Sequence, residues 1–325
     1  MTRDLRSSVC YHIPPSYITY PMNFGDRVFE KMLRREGPFD IVANFAAHKH
    51  VRSEKDHYAI EAMIDNNVIR AKKLLDLLLD HPPKHFFCVS TDKAANPVNV
   101  MGASKKLMEE VILAYAQEIP ITTARFANVA FSNGSLLSGF IERLMKRQPF
   151  SSPVDVRRYF VSPQESGELC MLACMLGDSG DIFFPKLNEA MMKTFSYIGA
   201  ELLKSLGYEI DHCQSEQEAR EKALRLSKHS NSYPVYFFSS DTSGEKPFEE
   251  FFVAQEEVQF DQFQTLGVIK GKPNYSIRQI ETTFQDLNRL FQKSDVDKAS
   301  IVQTLSRLVP TFQHIEKGKH LDDRM

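Results

Sequence analysis

The sequence predicts an α/β chain, a doubly wound parallel sheet with a smaller α/β region towards the carboxyl end. Three observations carry that expectation. Short apolar runs with little polar alternation recur at residues 41–45, 86–89, 122–126 and 181–184, as strands buried on both faces require. Amphipathic helical patterns lie between them, and parallel strands need such crossovers. Polar and ionisable residues gather directly after residues 86–89, at the strand end that faces the ligand crevice in open α/β sheets.

The chain starts irregularly. Residues 2–9 read as the end of a helix and residues 17–20 as a strand. The first glycine is Gly25, so no strand, glycine-rich turn and helix precede it to cradle a pyrophosphate. Residues 28–35 form a short helix closed by Gly37-Pro38. Residues 41–45 are then a buried strand, followed by Ala46-Ala47-His48-Lys49-His50-Val51, whose small alanines leave the backbone open to close approach. His48 and His50 read equally well as ordinary loop histidines. A long helix over 58–79 buries Ile60, Met63, Ile64, Val68, Leu74, Leu75 and Leu78 and ends at His81-Pro82-Pro83.

The segment 86–105, FFCVSTDKAANPVNVMGASK, organises the rest. Its apolar strand delivers Ser90, Thr91, Asp92 and Lys93 to the strand end. Asn96-Pro97 breaks the chain, and a helix restarts near Val100 with Met101 and Lys105 one turn apart on a shared face. Asp92 or Lys93 alone reads as a solvated loop residue; the whole string at a strand end reads as a site. A strand over 122–126 leads to Asn128 and the loop Ser132-Asn133-Gly134-Ser135. Arg157-Arg158-Tyr159-Phe160 precede a helix over 165–175 and a strand over 181–184. Alternating elements follow, with helices at 193–206 and 216–226, strands at 208–213 and 235–238, and closing helices at 277–291 and 301–315. The last ten residues are charged and expected to fray.

Bulk properties narrow the function classes. The 325 residues carry 40 basic and 42 acidic side chains, a net charge of −2, which gives no electrostatic case for nucleic acid. No apolar run approaches the ~18–20 residues of a membrane span. Five cysteines, Cys10, Cys88, Cys170, Cys174 and Cys213, have no zinc-like spacing and point to reduced thiols in a cytoplasm. No metal site is expected.

The run STDKAANPVNVMGASK resembles the active-site segment of the nucleotide-sugar 4,6-dehydratases of polysaccharide biosynthesis, in the extended short-chain dehydrogenase/reductase family, whose nearest branch acts on UDP-N-acetylglucosamine. The family's YxxxK stands here as Met101-Gly102-Ala103-Ser104-Lys105, and one branch carries that Met. AAHKHV, DNNV, RFANV, SNGS and RRYF resemble further family segments, so the likeness is strong over about residues 40–186. It implies a Rossmann-like fold, N-terminally truncated, with three parts: residues 1–186 dinucleotide-binding and catalytic, 187–275 a smaller substrate-side α/β region, and 276–325 terminal helices.

By the same resemblance, Lys93 is the base at sugar C5, Asp92 the acid at the C6 hydroxyl, and Thr91 the clamp on the C4 oxygen. Lys105 holds the nicotinamide ribose, and Met101 occupies the usual tyrosine position without its proton chemistry. Ala46, Ala47, Asn67, Ser90 and Lys105 face NAD or NADP; Lys49, Asn128, Ser135 and Arg158 face a UDP-sugar. TSGEKPFEE, at 242–250, is similar to a late family motif, but Thr242 stands where the family has an arginine that meets the nucleotide. A homo-oligomer fits the resemblance. Two other readings stay open: a nucleotide-sugar 4-epimerase, and a non-catalytic sugar-nucleotide-binding homologue. Adjacent Asp92 and Lys93 favour dehydration, because epimerisation needs no elimination acid.

Overall fold

The structure is a computed structural model and describes residues 17–51, 54–293 and 295–318. The readings for residues 2–9, for Cys10 and for most of the charged carboxyl end lie outside these. Helix α1 (Arg27–Glu36) leads to strand β1 (Ile41–Asn44). Helices α2 (His57–Ile64) and α3 (Arg70–Leu78) then run to β2 (His85–Thr91), α4 (Val100–Ala114) and β3 (Ile121–Phe126). Short β4 (Asn128–Val129), α5 (Leu136–Met145), β5 (Phe150–Pro153), β6 (Arg157–Arg158) and β7 (Phe160–Val161) precede α6 (Pro163–Leu176) and β8 (Asp181–Pro185). The remainder is β9 (Lys193–Thr194), α7 (Phe195–Ser205), β10 (Glu209–His212), α8 (Glu216–Ala223), β11 (Ser232–Phe238), β12 (Val258–Gln259), β13 (Leu266–Lys270), α9 (Ile277–Phe291) and α10 (Lys298–Leu308).

The main sheet has the order β1-β2-β3-β8-β13-β12. Its first four strands are parallel, and β13 and β12 close it antiparallel. Alternation along β2 divides the core in two. Phe86 and Cys88 face one layer with α2, α3 and α4, while Phe87 faces the other with Leu169 and Ala173 of α6. Helices on both faces make the sheet doubly wound, as the apolar runs imply. A second sheet, β10-β11-β5, is also parallel and stands beyond the carboxyl end of the first.

Local sequence sets the helix starts. Asp56 Oδ1 accepts from Ala59 N at 2.8 Å and Asn99 Oδ1 from Gly102 N at 2.8 Å. Ser162 and Ser276 form capping boxes with Glu165 and Gln279.

Four details differ from the sequence reading. Residues 17–20 are not a strand and pair with nothing regular. The strand at β1 forms but is not buried: it is the sheet's edge, no strand pairs its outer side among the described residues, and Ile41 is 46% exposed. The long helix over 58–79 is interrupted by a π-helical turn, Asp65–Ile69. The last helix stops at Leu308, and residues 309–318 run back as a strap, Gln313 N donating to Pro97 O at 3.0 Å and Ile315 N to Val98 O at 2.9 Å. Helices α9 and α10 pack into the core. Ile280, Phe284, Leu287, Ile301 and Leu305 belong to the largest core cluster, against α4.

Candidate active site

β2 lies second in the sheet, between β1 and β3, and at its carboxyl end Ser90 and Thr91 complete the strand and Asp92–Ala94 turn through one 3₁₀ step. That turn is held from below by the first turn of α4. A Cβ on Gly102 would stand 2.6 Å from Lys93 O, so only glycine lets the helix come this close.

The turn brings two charges together. Lys93 Nζ donates to Asp92 Oδ1 at 3.0 Å, and the same oxygen accepts from Thr91 Oγ1 at 2.8 Å and Lys93 N at 2.9 Å. Both side chains are largely buried, Asp92 almost completely. Such a desolvated contact is stronger than its surface equivalent and is set geometrically by three donors.

Lys93 lines a cavity of about 520 Å³, within the range of small-ligand sites. Of the residues named from sequence, Lys49, Lys93, Asn128 and Ser135 meet there. Ser135 caps α5, accepting from Ser138 N at 3.2 Å, so the amino end of a ten-residue helix opens on the cavity. Lys49 Nζ reaches Ser132 Oγ at 3.5 Å across the same wall. Exposed amides, a positive helix end and lysines suit an anionic group.

The other named residues stand behind or beside this wall. Ser90 Oγ donates to Glu109 Oε1 at 2.6 Å. Lys105 is buried, its Nζ donating to Val89 O at 2.9 Å; burial pulls its amine down, while Cys88 and Glu109 oppose that. Met101 packs in the main core cluster. Asn67, at the π-helical turn, accepts from His48 N at 2.7 Å and donates to His48 O at 3.0 Å and Ser104 Oγ at 3.0 Å. It thereby ties the loop after β1 to α4. Ala46 is exposed and Ala47 half-buried at the carboxyl end of β1. Arg158 is buried and donates to the backbone carbonyls of Arg157 and Lys246, each at 2.9 Å.

The structure adds residues that the sequence reading did not single out. Arg143, from α5, lines the cavity, its Nη1 donating to Pro149 O at 3.1 Å. Ser151 and Ser152, consecutive on β5, line it, and their almost fully buried hydroxyls have no hydrogen-bond partner, which native interiors seldom leave so. Their strand, β5, belongs to the second sheet, and nothing in the local sequence SSP signals that placement. Thr242 does not reach the cavity as a cation would; its Oγ1 donates to Glu245 Oε2 at 2.8 Å, and Glu245 lines the cavity.

Beneath the site lies a buried ionic cluster. Arg125 is fully buried, with Nε and Nη2 on Glu109 at 3.0 and 2.8 Å and both Nη atoms on Glu256 at 2.8 and 2.6 Å. Burial alone would push the Glu109 carboxyl up; Arg125 and Lys106 overcome this and hold it at about 2. The cluster joins β2, β3, α4 and the loop before β12, and so fixes the strand end that carries Asp92.

The comparisons fit this geometry. The model of a family described as "Polysaccharide biosynthesis protein" matches residues 25–270. An uncharacterized membrane protein of Methanocaldococcus jannaschii is 32% identical over 186 residues, 55% of each chain. A UDP-glucose 4-epimerase of Rickettsia massiliae is 33% identical over 153 residues, 45% of this chain and 44% of that one. The chain thus spans about half the length, or less, of the curated relatives it matches. Among solved structures, the dTDP-glucose 4,6-dehydratase DesIV of Streptomyces venezuelae, determined with NAD bound, aligns with a TM-score of 0.56 at 17% identity, over 82% of this chain and 78% of that one. At that identity the likeness speaks for the fold, a Rossmann-like α/β sheet. With most of its length matched by the family model, the chain belongs to the polysaccharide biosynthesis protein family.

Proposed function

We propose that this chain carries the active site of a nucleotide-sugar 4,6-dehydratase whose substrate is UDP-N-acetylglucosamine. The observation that carries the reading is the 3.0 Å contact of Lys93 with Asp92 at the rim of a cavity fit for a sugar nucleotide. A proton passed from Lys93 Nζ to Asp92 Oδ1 leaves a neutral amine and a neutral acid side by side, the two forms elimination needs. Lys93 then removes the C5 proton, Asp92 protonates the departing C6 hydroxyl, and water leaves as the C5–C6 double bond forms. The pair ends as ammonium and carboxylate, as it began. Thr91, whose hydroxyl orients Asp92 here, also stands within the turn that would meet the C4 oxygen.

The polar groups on the remaining walls sort along such a substrate. Ser135, the α5 amino end, Lys49 and Arg143 suit the diphosphate, and Ser151 and Ser152 suit the nucleoside. Asn128 lines the same cavity and suits the sugar. NAD or NADP would approach the backbone at Ala46 and Ala47, with Asn67, Ser90 and Lys105, already bonded to His48, Glu109 and Val89, supporting that wall from behind. The open backbone after β1 fits close approach of its nicotinamide end, while no glycine-rich pyrophosphate turn follows a strand among the described residues. When bound, the cofactor would supply the hydride chemistry, taking hydride from C4 so that the ketone acidifies C5–H and returning it to C6 as Lys93 reprotonates C5. The contribution of this chain is to hold the sugar, shield it and move the two protons.

A 4-epimerase is the second reading, favoured by the Rickettsia relatives. Incubation with UDP-N-acetylglucosamine and NAD or NADP, read by mass spectrometry for mass and by NMR for sugar configuration, separates them. The dehydratase reading expects loss of one water from the sugar nucleotide, abolished in Lys93→Ala. A product of unchanged mass and altered C4 configuration favours the epimerase.

A further inference from the structure

One ionisable side chain near Lys93 has no place in the scheme above. Glu249, in the loop before β12, is almost wholly buried, and its Oε2 has no hydrogen-bond partner. Its Oε1 lies 3.8 Å from Lys93 Nζ and 3.8 Å from Arg158 Nη2, and its Oε2 lies 3.7 Å from Lys246 Nζ. These are ion-pair distances, too long for hydrogen bonds. Glu249 does not line the cavity, whereas Lys93 does. The ammonium is therefore placed between Asp92, at 3.0 Å, and a second carboxyl behind it.

We propose that Glu249 is a positioning residue for Lys93: its carboxylate holds the ammonium at the cavity wall. A buried carboxyl with no hydrogen bond is poor structural cement, because the cost of desolvating it is not returned by a close partner. Burial pushes the Glu249 carboxyl up; Lys93 opposes this, Asp92 adds to it, and Arg158 and Lys246 oppose it, with the net direction up. The charged groups facing it are Lys93 and Asp92 from the turn after β2, Arg158 from β6, and Lys246 from its own loop. Arg158 also ties that loop down through its bonds to Lys246 O at 2.9 Å and Pro247 O at 3.4 Å, so the carboxyl has little freedom to leave.

The inference rests on the reading of Lys93 as the base, but its test needs neither substrate nor turnover. The chain and its Glu249→Gln and Glu249→Asp variants are treated briefly with an amine-acylating reagent at about pH 8, and the acylation of each lysine is quantified by peptide mass spectrometry. Only the free amine reacts. Removing the carboxylate raises Lys93 acylation about ten-fold in Glu249→Gln, because the amine is no longer held at the wall by that ion pair. Glu249→Asp, which keeps the charge, returns it towards the parent value. Exposed Lys84 stays constant, and buried Lys105 stays protected, which reports an intact fold in the same experiment. If Glu249→Gln exposes Lys105, Glu249→Leu, neutral and of similar volume, takes its place in the same comparison with Glu249→Asp. Lys93 acylation unchanged in a folded Glu249→Gln, or raised equally in both variants, overturns the proposal. Loss of dehydratase activity in the parent would count against the function above and leave this result standing.

Discussion

Two buried carboxyls beside the site behave in opposite ways, and the difference separates structure from function at the scale of single residues. Glu109 meets Arg125 in two close contacts and has its carboxyl held at about 2. Its folded value lies below the ordinary 4.5, so its stabilisation is present above about pH 4.5 and is lost as pH falls towards about 2. Melting curves across that window should show the parent losing stability steeply. Glu109→Gln takes from the buried Arg125 one of its two carboxylate partners and should cost about 3–5 kcal/mol at neutral pH, with a flatter acid limb. Glu249 is the reverse. Its folded value is raised, so the stability it contributes is present below the ordinary carboxyl range and is lost as pH rises. Glu249→Gln should therefore melt higher than the parent at neutral pH, with the gain shrinking towards pH 4. A residue that costs stability at a site is the expected mark of function over packing.

At the scale of elements, the site depends on how closely α4 approaches the turn after β2. Gly102 permits that approach, and Asn99 fixes both ends of it by capping α4 and donating to Gly244 O at 2.8 Å. Gly102→Ala forces Lys93 O to move by several tenths of an ångström at least. The expected outcome is a drop in turnover of about 10²-fold, the scale of a small misplacement of reacting groups, with binding of UDP-N-acetylglucosamine by calorimetry changed far less. Equal losses in both would point to general unfolding of the wall. Much of this element-level picture is legible in the sequence. The apolar run before Ser90, the Asn96-Pro97 break and the restart at Val100 define strand, turn and helix without coordinates. What is not legible is whatever needs distant chain: the pairing of β5 with β11 that brings Ser151 and Ser152 to the cavity, and the loop that returns Glu249 behind Lys93. The π-helical turn at Asn67 was hidden for a different reason, since its apolar residues keep a helical spacing on either side of it.

Across the whole molecule, the carboxyl-terminal helices are part of the main core. Phe284 and Leu287 pack with Leu107 and Val111 in one cluster, and the strap after Leu308 pairs with Pro97 and Val98 next to the site. Phe284→Ala should cost about 3–5 kcal/mol in a denaturant titration and unfold the sheet with it in one transition; a separate early transition confined to the end of the chain would show independent packing. The sequence reading grouped these helices apart because their own pattern is amphipathic, and a helix's apolar stripe does not say what covers it. The edge position of β1 escaped it similarly, since residues 41–45 look like an interior strand and only the sheet order shows an unpaired side among the described residues.

The central claim is that Lys93 takes the proton from sugar C5 while Asp92 releases water at C6. The most direct measurement is to run the reaction on UDP-N-acetylglucosamine with NAD or NADP in deuterated water and locate the label by NMR. The account predicts a dehydrated product carrying solvent deuterium at C5, formed by the parent chain and not by Lys93→Ala. A product inverted at C4 with no solvent deuterium at C5, or C5 labelling that persists undiminished in Lys93→Ala, would contradict it.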